Sequence, residues 1–301
     1  MKIGFAGLGN MGGRLASRLV GIGDLTVYDA YEPSREAFRD RAHVAGSIAE
    51  VGAGADVVGV CVRTGEQVRE CADALLPVMQ EGSMLMIHST ISPDLVLTLA
   101  QEGAARGVEV IDAPVTVTRY GVPDGPFVCT MIGADETDTE RVRPLLDAYA
   151  TEAVHVGRLG AGMSLKIINN LVTLVQITVA EEAFRLAALA GVPAEALTRV
   201  TTQNGALTPT MKVIAARAGA PPADRETCDA REVQARNGVK DLALAEALAH
   251  SLDTPSAAAS FARGQYYHAY TANLPEARPP ACGRLLSPAG WNTGPFRMKG
   301  F

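Results

Sequence analysis

Gly7-Leu8-Gly9-Asn10-Met11-Gly12 follows directly on the short apolar run Lys2-Ile3-Gly4-Phe5-Ala6 and precedes a helical pattern. A strand, a glycine-rich turn and a helix in this order open a dinucleotide-binding βαβ unit. In that unit Gly7 permits the tight turn, Gly9 leaves room for a pyrophosphate to approach backbone N–H groups, and Gly12 lets the helix pack closely on the strand. The chain holds 30 glycines, so the pattern alone is weak and its context decides. A second strand pattern, Leu25-Thr26-Val27-Tyr28-Asp29, ends in an acid about twenty residues on, the spacing expected for a ribose contact. The cofactor residues expected here are therefore Gly7, Leu8, Gly9, Asn10, Met11, Gly12 and Asp29.

A carboxylate at Asp29 accepts hydrogen bonds from ribose hydroxyls and repels a 2′-phosphate, and Ala30 supplies no compensating cation. NAD is favoured on these grounds. Arg35, six residues on, is within reach of a phosphate and keeps NADP open.

Composition limits the remaining possibilities. A chain of 301 residues with 48% hydrophobic and 20% charged residues suits one large or two ordinary globular domains. A formal charge of −6 and pI near 5.5 speak against general attraction to nucleic acid or anionic membranes, which leaves small-molecule chemistry. Cys61, Cys71, Cys129, Cys228 and Cys282 are scattered, form no C-x-x-C pair and read as reduced core residues. The histidines show no metal-ligand spacing, so no metal site is expected. Met1 and Lys2 lead straight into the first strand without a signal sequence, and cytoplasmic placement is expected. The apolar run from Leu171 to Ala180 is flanked by Lys166, Glu181, Glu182 and Arg185 and is too short for a bilayer.

Strand patterns recur at Lys2–Ala6, Leu25–Asp29, Asp56–Val62, Met84–His88, Val108–Asp112 and Phe127–Ile132, with helical patterns between them. That alternation predicts an α/β fold: an N-terminal Rossmann domain, a doubly wound parallel sheet, over residues 1–157. Beyond it the β signal stops, and residues 158–273 read as an all-α domain that opens with a long interdomain helix over Ala161–Leu189. Residues 274–301, rich in proline and glycine, read as an irregular tail.

Within the long helix, Lys166, Asn169, Asn170 and Thr173 are spaced i, i+3, i+4 and i+7 and share one stripe. Leu165, Ile168, Val172, Val175 and Val179 are expected to form the packed face, leaving the polar stripe to meet a cleft. A partly desolvated Lys166 beside a cationic nicotinamide would have a lowered pKa and could exchange a proton with a substrate hydroxyl. The pattern alone fits equally a surface lysine beside solvated asparagines.

Taken together, the glycine motif, His88-Ser89-Thr90-Ile91-Ser92-Pro93, Asp112-Ala113-Pro114-Val115, Gly160-Ala161-Gly162 through Lys166-Ile167-Ile168-Asn169-Asn170, and Lys240-Asp241-Leu242 resemble the β-hydroxyacid dehydrogenase family. This family includes 3-hydroxyisobutyrate dehydrogenases and tartronate semialdehyde reductases. The similarity runs from residue 1 to about residue 270. It implies that Lys166 is the catalytic acid or base and that Asn170 orients the substrate. It also implies that Val62, Arg63, Gln67 and Thr90 line the cofactor site, and that Lys240 reaches the nicotinamide end from the second domain. A homodimer or homotetramer is implied as well.

The chain departs from that family where Asp-Ala-Pro-Val usually continues Ser-Gly-Gly. Here it continues Thr116-Val117-Thr118-Arg119-Tyr120-Gly121. Thr116 keeps a hydroxyl, while the β-branched residues that replace glycines restrict close backbone approach to a ligand. Thr116, Thr118 and Arg119 are the substrate-binding candidates, Arg119 as a bidentate carboxylate clamp. Arg63 stands where the family commonly has proline, and the proline-rich carboxyl end replaces a closing helix.

The resulting expectation is an NAD-dependent dehydrogenase of a small β-hydroxy acid or its semialdehyde. An imine reductase-like or other carbonyl-reducing activity is one alternative, against which Lys166 speaks. A non-catalytic NAD-binding sensor is another, favoured by the altered loop and opposed by Lys166, Asn170 and Lys240.

Overall fold

The computed structural model describes residues 1–118, 121, 124–218 and 225–271. Arg119 and the segment 274–301 lie outside the described residues.

The chain runs β1 (Lys2–Ala6), α1 (Asn10–Leu19), β2 (Asp24–Tyr28), α2 (Glu32–Glu36), β3 (His43–Val44), α3 (Ile48–Gly52), β4 (Val57–Val60), α4 (Gly65–Leu75) and β5 (Met84–Ile87). It continues with α5 (Pro93–Ala104), β6 (Glu109–Asp112), β7 (Val115–Val117), β8 (Val128–Gly133), α6 (Glu136–Tyr149) and β9 (Ala150–Gly157). Only helices follow among the described residues: α7 (Ala161–Leu189), α8 (Ala194–Gln203), α9 (Lys212–Ala215), α10 (Arg225–Ser251) and α11 (Ala257–Thr271).

The sheet order β3-β2-β1-β4-β5-β6 is the doubly wound arrangement, parallel throughout that run. Its order reverses between β1 and β4, which opens a ligand crevice at the carboxyl ends of those strands. The far edge is mixed. β8 runs antiparallel to β6 and β7, and β9 runs parallel to β8. β7 continues past the carboxyl end of β6 after the Ala113-Pro114 break and pairs Thr116 with Cys129. Three strands that the periodicity did not mark, β3, β7 and β9, are a two-residue edge pairing, a three-residue strand and a strand with no fully buried residue. None of the three carries a sustained apolar alternation.

Side chains alternate between the two faces of the sheet. Phe5, Val27, Met84 and Met86 pack with Leu15, Leu19, Leu145 and Leu146 on one face, beneath α1 and α6. Val58, Val60, Leu85 and Ile87 pack with Val68, Leu75, Val96 and Leu99 on the other, beneath α4 and α5, and that core extends to Met163, Ile167 and Ala245. A separate helical core gathers Leu174, Ile177, Phe184, Leu242, Tyr266 and Tyr270.

The 29 residues of α7 join these two cores. By length and apolarity this helix would suffice to cross a membrane. It nevertheless bears Lys166, Asn169, Asn170, Glu181, Glu182 and Arg185 and packs on β8, α10 and α11. The face expected to pack is not the one that does. Ile168, Val172 and Val179 are 50%, 54% and 44% exposed, whereas Lys166 is 8% exposed. The helix is apolar nearly all round, so periodicity selects no face; tertiary contacts choose the Met163–Lys166–Ile167 side.

Candidate active site

The glycine loop takes the shape that its residues allow. Gly7 has φ +93°, and a Cβ there would lie 2.3 Å from the Cys61 carbonyl oxygen. A Cβ on Gly12 would stand 2.0 Å from the Gly7 oxygen, so these two glycines lock strand, turn and helix together. Gly9 differs: a Cβ there would meet nothing within 4 Å. It is the N-cap of α1 and offers no side-chain cap, so the first N–H groups of a ten-residue helix face open space. Unpaired donors at the positive end of a helix dipole, beneath an open approach, fit the pyrophosphate of a dinucleotide.

Asp29 closes the loop from β2. Its Oδ2 accepts the Leu8 N–H at 2.6 Å and its Oδ1 accepts the Tyr31 N–H at 2.8 Å. Each carboxylate oxygen has a second lone pair for a ribose hydroxyl. Arg35 donates to the Asp29 main-chain oxygen at 2.7 Å and lies 5.5 Å from the Tyr28 ring centre.

On the other side of the crevice the Val62 N–H donates to Ser89 Oγ at 2.8 Å, which ties the end of β4 to the segment after β5. The Gln67 side chain accepts the Arg63 N–H at 3.0 Å, while Thr64 caps α4 through the Gln67 N–H at 3.3 Å. Gln67 thus shapes the loop carrying Val62 and Arg63. Next to it, Thr64, Glu66, Thr90, Ser92 and Lys240 line a cleft of about 440 Å³.

The buried histidine of the His88-Ser89-Thr90 run is structural. Its Nδ1 bonds the Ala113 carbonyl at 2.8 Å, and its ring lies between Phe5 and Tyr149. Burial lowers its pKa to about 4, which keeps the imidazole neutral.

Asp112, given no role from sequence, fastens α7 to the sheet. It is fully buried at the end of β6, and its carboxylate accepts the Gly160 N–H at 2.7 Å and the Met163 N–H at 2.5 Å. These are orphan donors of the helix start. Desolvation raises its pKa, opposed by those backbone hydrogen bonds. Close approach requires small neighbours. A Cβ at Gly133 would sit 2.2 Å from Asp112 Oδ1, and one at Gly162 2.5 Å from the Met131 oxygen.

Lys166 follows three residues after Met163. Among the described residues no hydrogen bond or ion pair takes its ammonium. Burial lowers its pKa to about 8 from the ordinary 10.5; Asp241 opposes the shift, Lys240 adds to it and the Cys61 thiol opposes it slightly. Met163 and Ile167, on either side of it in the helix, pack in one core with Val60, the last residue of β4, which sets Lys166 near the carboxyl end of that strand. Asn170, one turn on, donates to Asp241 Oδ2 at 2.7 Å and accepts from Asn169 at 3.2 Å. Lys240 lies 2.7 Å from Asp241 Oδ1 and donates to the Thr90 carbonyl at 2.8 Å.

Lys166, Asn170, Lys240, Asp241 and Thr90 therefore converge where α7, α10 and the segment after β5 meet. Asp241 is the second residue that sequence reading left without a role; an acid beside Lys240 on a helix was the available signal. Thr116 and Thr118 lie beyond the end of β6, Thr116 on β7 and Thr118 just after it, with the Thr118 N–H donating to the Phe127 carbonyl at 3.0 Å.

Residues 2–157 match the family described as the NAD binding domain of 6-phosphogluconate dehydrogenase. The chain is 32% identical over 267 residues to an uncharacterized oxidoreductase of Mycobacterium tuberculosis, covering 85% of this chain and 89% of that protein. It is 35% identical over 204 residues to a probable 3-hydroxyisobutyrate dehydrogenase of the same organism, covering 66% and 68% of the two chains. The solved Mycobacterium tuberculosis 3-hydroxyisobutyrate dehydrogenase with L-serine superposes with a TM-score of 0.75 at 29% identity, over 91% of this chain and 95% of that one. On these matches the chain belongs to the β-hydroxyacid dehydrogenase family and is an NAD(P)-binding oxidoreductase of that kind.

Proposed function

We propose that the protein oxidises a small β-hydroxy acid, 3-hydroxyisobutyrate-like, or reduces the corresponding semialdehyde, with Lys166 as general acid and base. The observation that carries this reading is a lysine held 8% exposed, with a pKa of about 8, beside the end of β4. A group titrating near the working pH can both take and return a proton. Bound nicotinamide supplies the hydride acceptor or donor at its C4. In oxidation, neutral Lys166 removes the substrate hydroxyl proton; in reduction, its ammonium returns that proton to the carbonyl oxygen. Asn170 gives one amide hydrogen to Asp241 and keeps the other for the substrate oxygen. Lys240 ties α10 to the loop after β5 and holds the cleft in register. Such preorganisation keeps reacting groups in near-attack geometry.

The same reading assigns residues 1–157 to the cofactor and 158–273 to substrate binding and assembly. Gly7 through Gly12, Asp29, Val62, Arg63, Gln67, Thr90 and Lys240 are the cofactor set; Thr116, Thr118, Arg119 and Asn170 are the substrate set. NAD is preferred over NADP because Asp29 faces the loop with a carboxylate and Arg35 is already engaged by the Asp29 carbonyl and the Tyr28 ring. The exposed Ile168, Val172, Val179, Leu186 and Leu189 on α7 favour a homo-oligomer, since a second copy would remove them from water. Cytoplasmic placement accompanies this metabolic role.

Purified protein with NAD or NADP, tested against short β-hydroxy acids by absorbance of the reduced cofactor, checks the proposal. Turnover that Lys166→Ala abolishes while NADH binding persists is expected. Turnover retained by Lys166→Ala would refute it.

A further inference from the structure

We propose that Arg14 and Arg18 of the helix that follows the glycine loop anchor Thr118 and the segment 124–127 that leads into β8, so that substrate affinity is set from the cofactor side. The inference rests on the reading of Thr116 and Thr118 as substrate-binding residues.

The two arginines are one helical turn apart and project on the same side of α1. Arg14 stacks on the Phe127 ring, its guanidinium carbon 3.9 Å from the ring centre; that of Arg18 lies 5.9 Å from the same centre. Arg18 Nε donates to the Gly125 carbonyl at 2.8 Å. Its contact with the fully exposed Asp124 carboxylate, 3.9 Å away, adds little.

Phe127 is the joint on the other side. It is buried, donates its N–H to the Tyr149 carbonyl at 2.9 Å and accepts the Thr118 N–H at 3.0 Å. Gly121 lies so close that a Cβ there would come within 3.0 Å of Phe127 Cα. Thr118 is therefore tied to Phe127, and Phe127 to α1. The glycines that would let a substrate carboxylate approach backbone N–H groups are replaced here by Val117 and Thr118, so positioning depends on this anchorage. The helix whose N-terminus receives the cofactor is the one that carries both arginines.

Hydrogen exchange and kinetics on the full-length Arg14→Ala/Arg18→Ala protein test this. The Thr118 and Phe127 amides should exchange about ten times faster, and KM for 3-hydroxyisobutyrate should rise about tenfold, the size expected for losing a cation–π contact and a charged hydrogen bond. The kcat and the NADH affinity should change less than about twofold. Arg18→Lys, which keeps a donor for Gly125, should recover part of the KM. Unchanged amide exchange in the double variant would overturn the anchor, as would loss of NADH affinity equal to the loss of substrate affinity. A parent enzyme inactive on hydroxy acids would refute the functional reading, and the exchange measurement would still decide the anchor.

Discussion

Replacing Lys166 by methionine should abolish turnover and make the cofactor-free protein more stable at neutral pH. The unfolded chain holds the lysine proton with the ordinary pKa of 10.5, and the folded protein with one of about 8. Lowering the pKa from 10.5 to about 8 corresponds to ~3 kcal/mol of folding free energy spent on keeping an ammonium in a dry site. The sign follows from proton binding. Between pH 8 and 10.5 the unfolded chain retains a proton that the folded chain has shed, so stability rises with pH across that window. Below pH 8 the whole cost is present; above 10.5 it has gone. Methionine retains most of the apolar stem and carries no charge. It should raise the thermal midpoint at pH 7 by an amount on the order of 5 °C, and the gain should vanish near pH 10.5. Calorimetry of both proteins from pH 6 to 11, with NADH titration to verify the cofactor site, measures this. A variant no more stable than the parent at pH 7, or a difference independent of pH, would refute the buried-lysine reasoning.

The glycines of the turn should separate cleanly. Gly9→Ala should fold normally and bind NADH at least about tenfold more weakly, because its methyl occupies space that the protein leaves open. Gly12→Ala, with a Cβ 2.0 Å from the Gly7 oxygen, should fail to accumulate as folded protein by circular dichroism. Oxidative kcat should climb about tenfold per pH unit until about pH 8, where Lys166 loses its proton, and reductive kcat should fall above it. Asp241→Asn removes the carboxylate that favours the ammonium, so both limbs should move to lower pH in stopped-flow profiles. Asp112→Ala leaves the Gly160 and Met163 N–H groups without their acceptor; denaturant titration should show a loss of about 2 kcal/mol, with kcat falling more than KM rises.

The cofactor half was legible because its signals are local. A turn that only glycine can make, a strand ending in Asp29 and runs of Val, Ile and Met buried on two faces all leave their mark within short windows. The span Ala161–Leu189 was legible as a helix for the same reason. Its orientation was not, since an apolar pattern on every side lets distant segments decide which face is covered. Asp112 and Asp241 were hidden differently. The backbone and amide donors they accept from lie 48 to 71 residues away, and the one adjacent cue, Lys240 beside Asp241, does not point to Asn170. The antiparallel turn of β8 was likewise invisible, because strand direction depends on the path of the connection and not on composition.

The Asp112 joint determines which parts travel together. The first turn of α7 is pinned to the sheet through a buried carboxylate and two glycines, whereas Lys240 reaches across only by its side chain to the Thr90 carbonyl. If α10 and α11 swing outward to admit or release a ligand, the Lys166 amine stays with the nucleotide half, and the Lys240 tether, the Asn170–Asp241 hydrogen bond and the packing of Ala245 let go. The hinge would then fall along the middle of α7, beyond Asn170. Lys166 would then keep its place against the sheet while α10 and α11 moved.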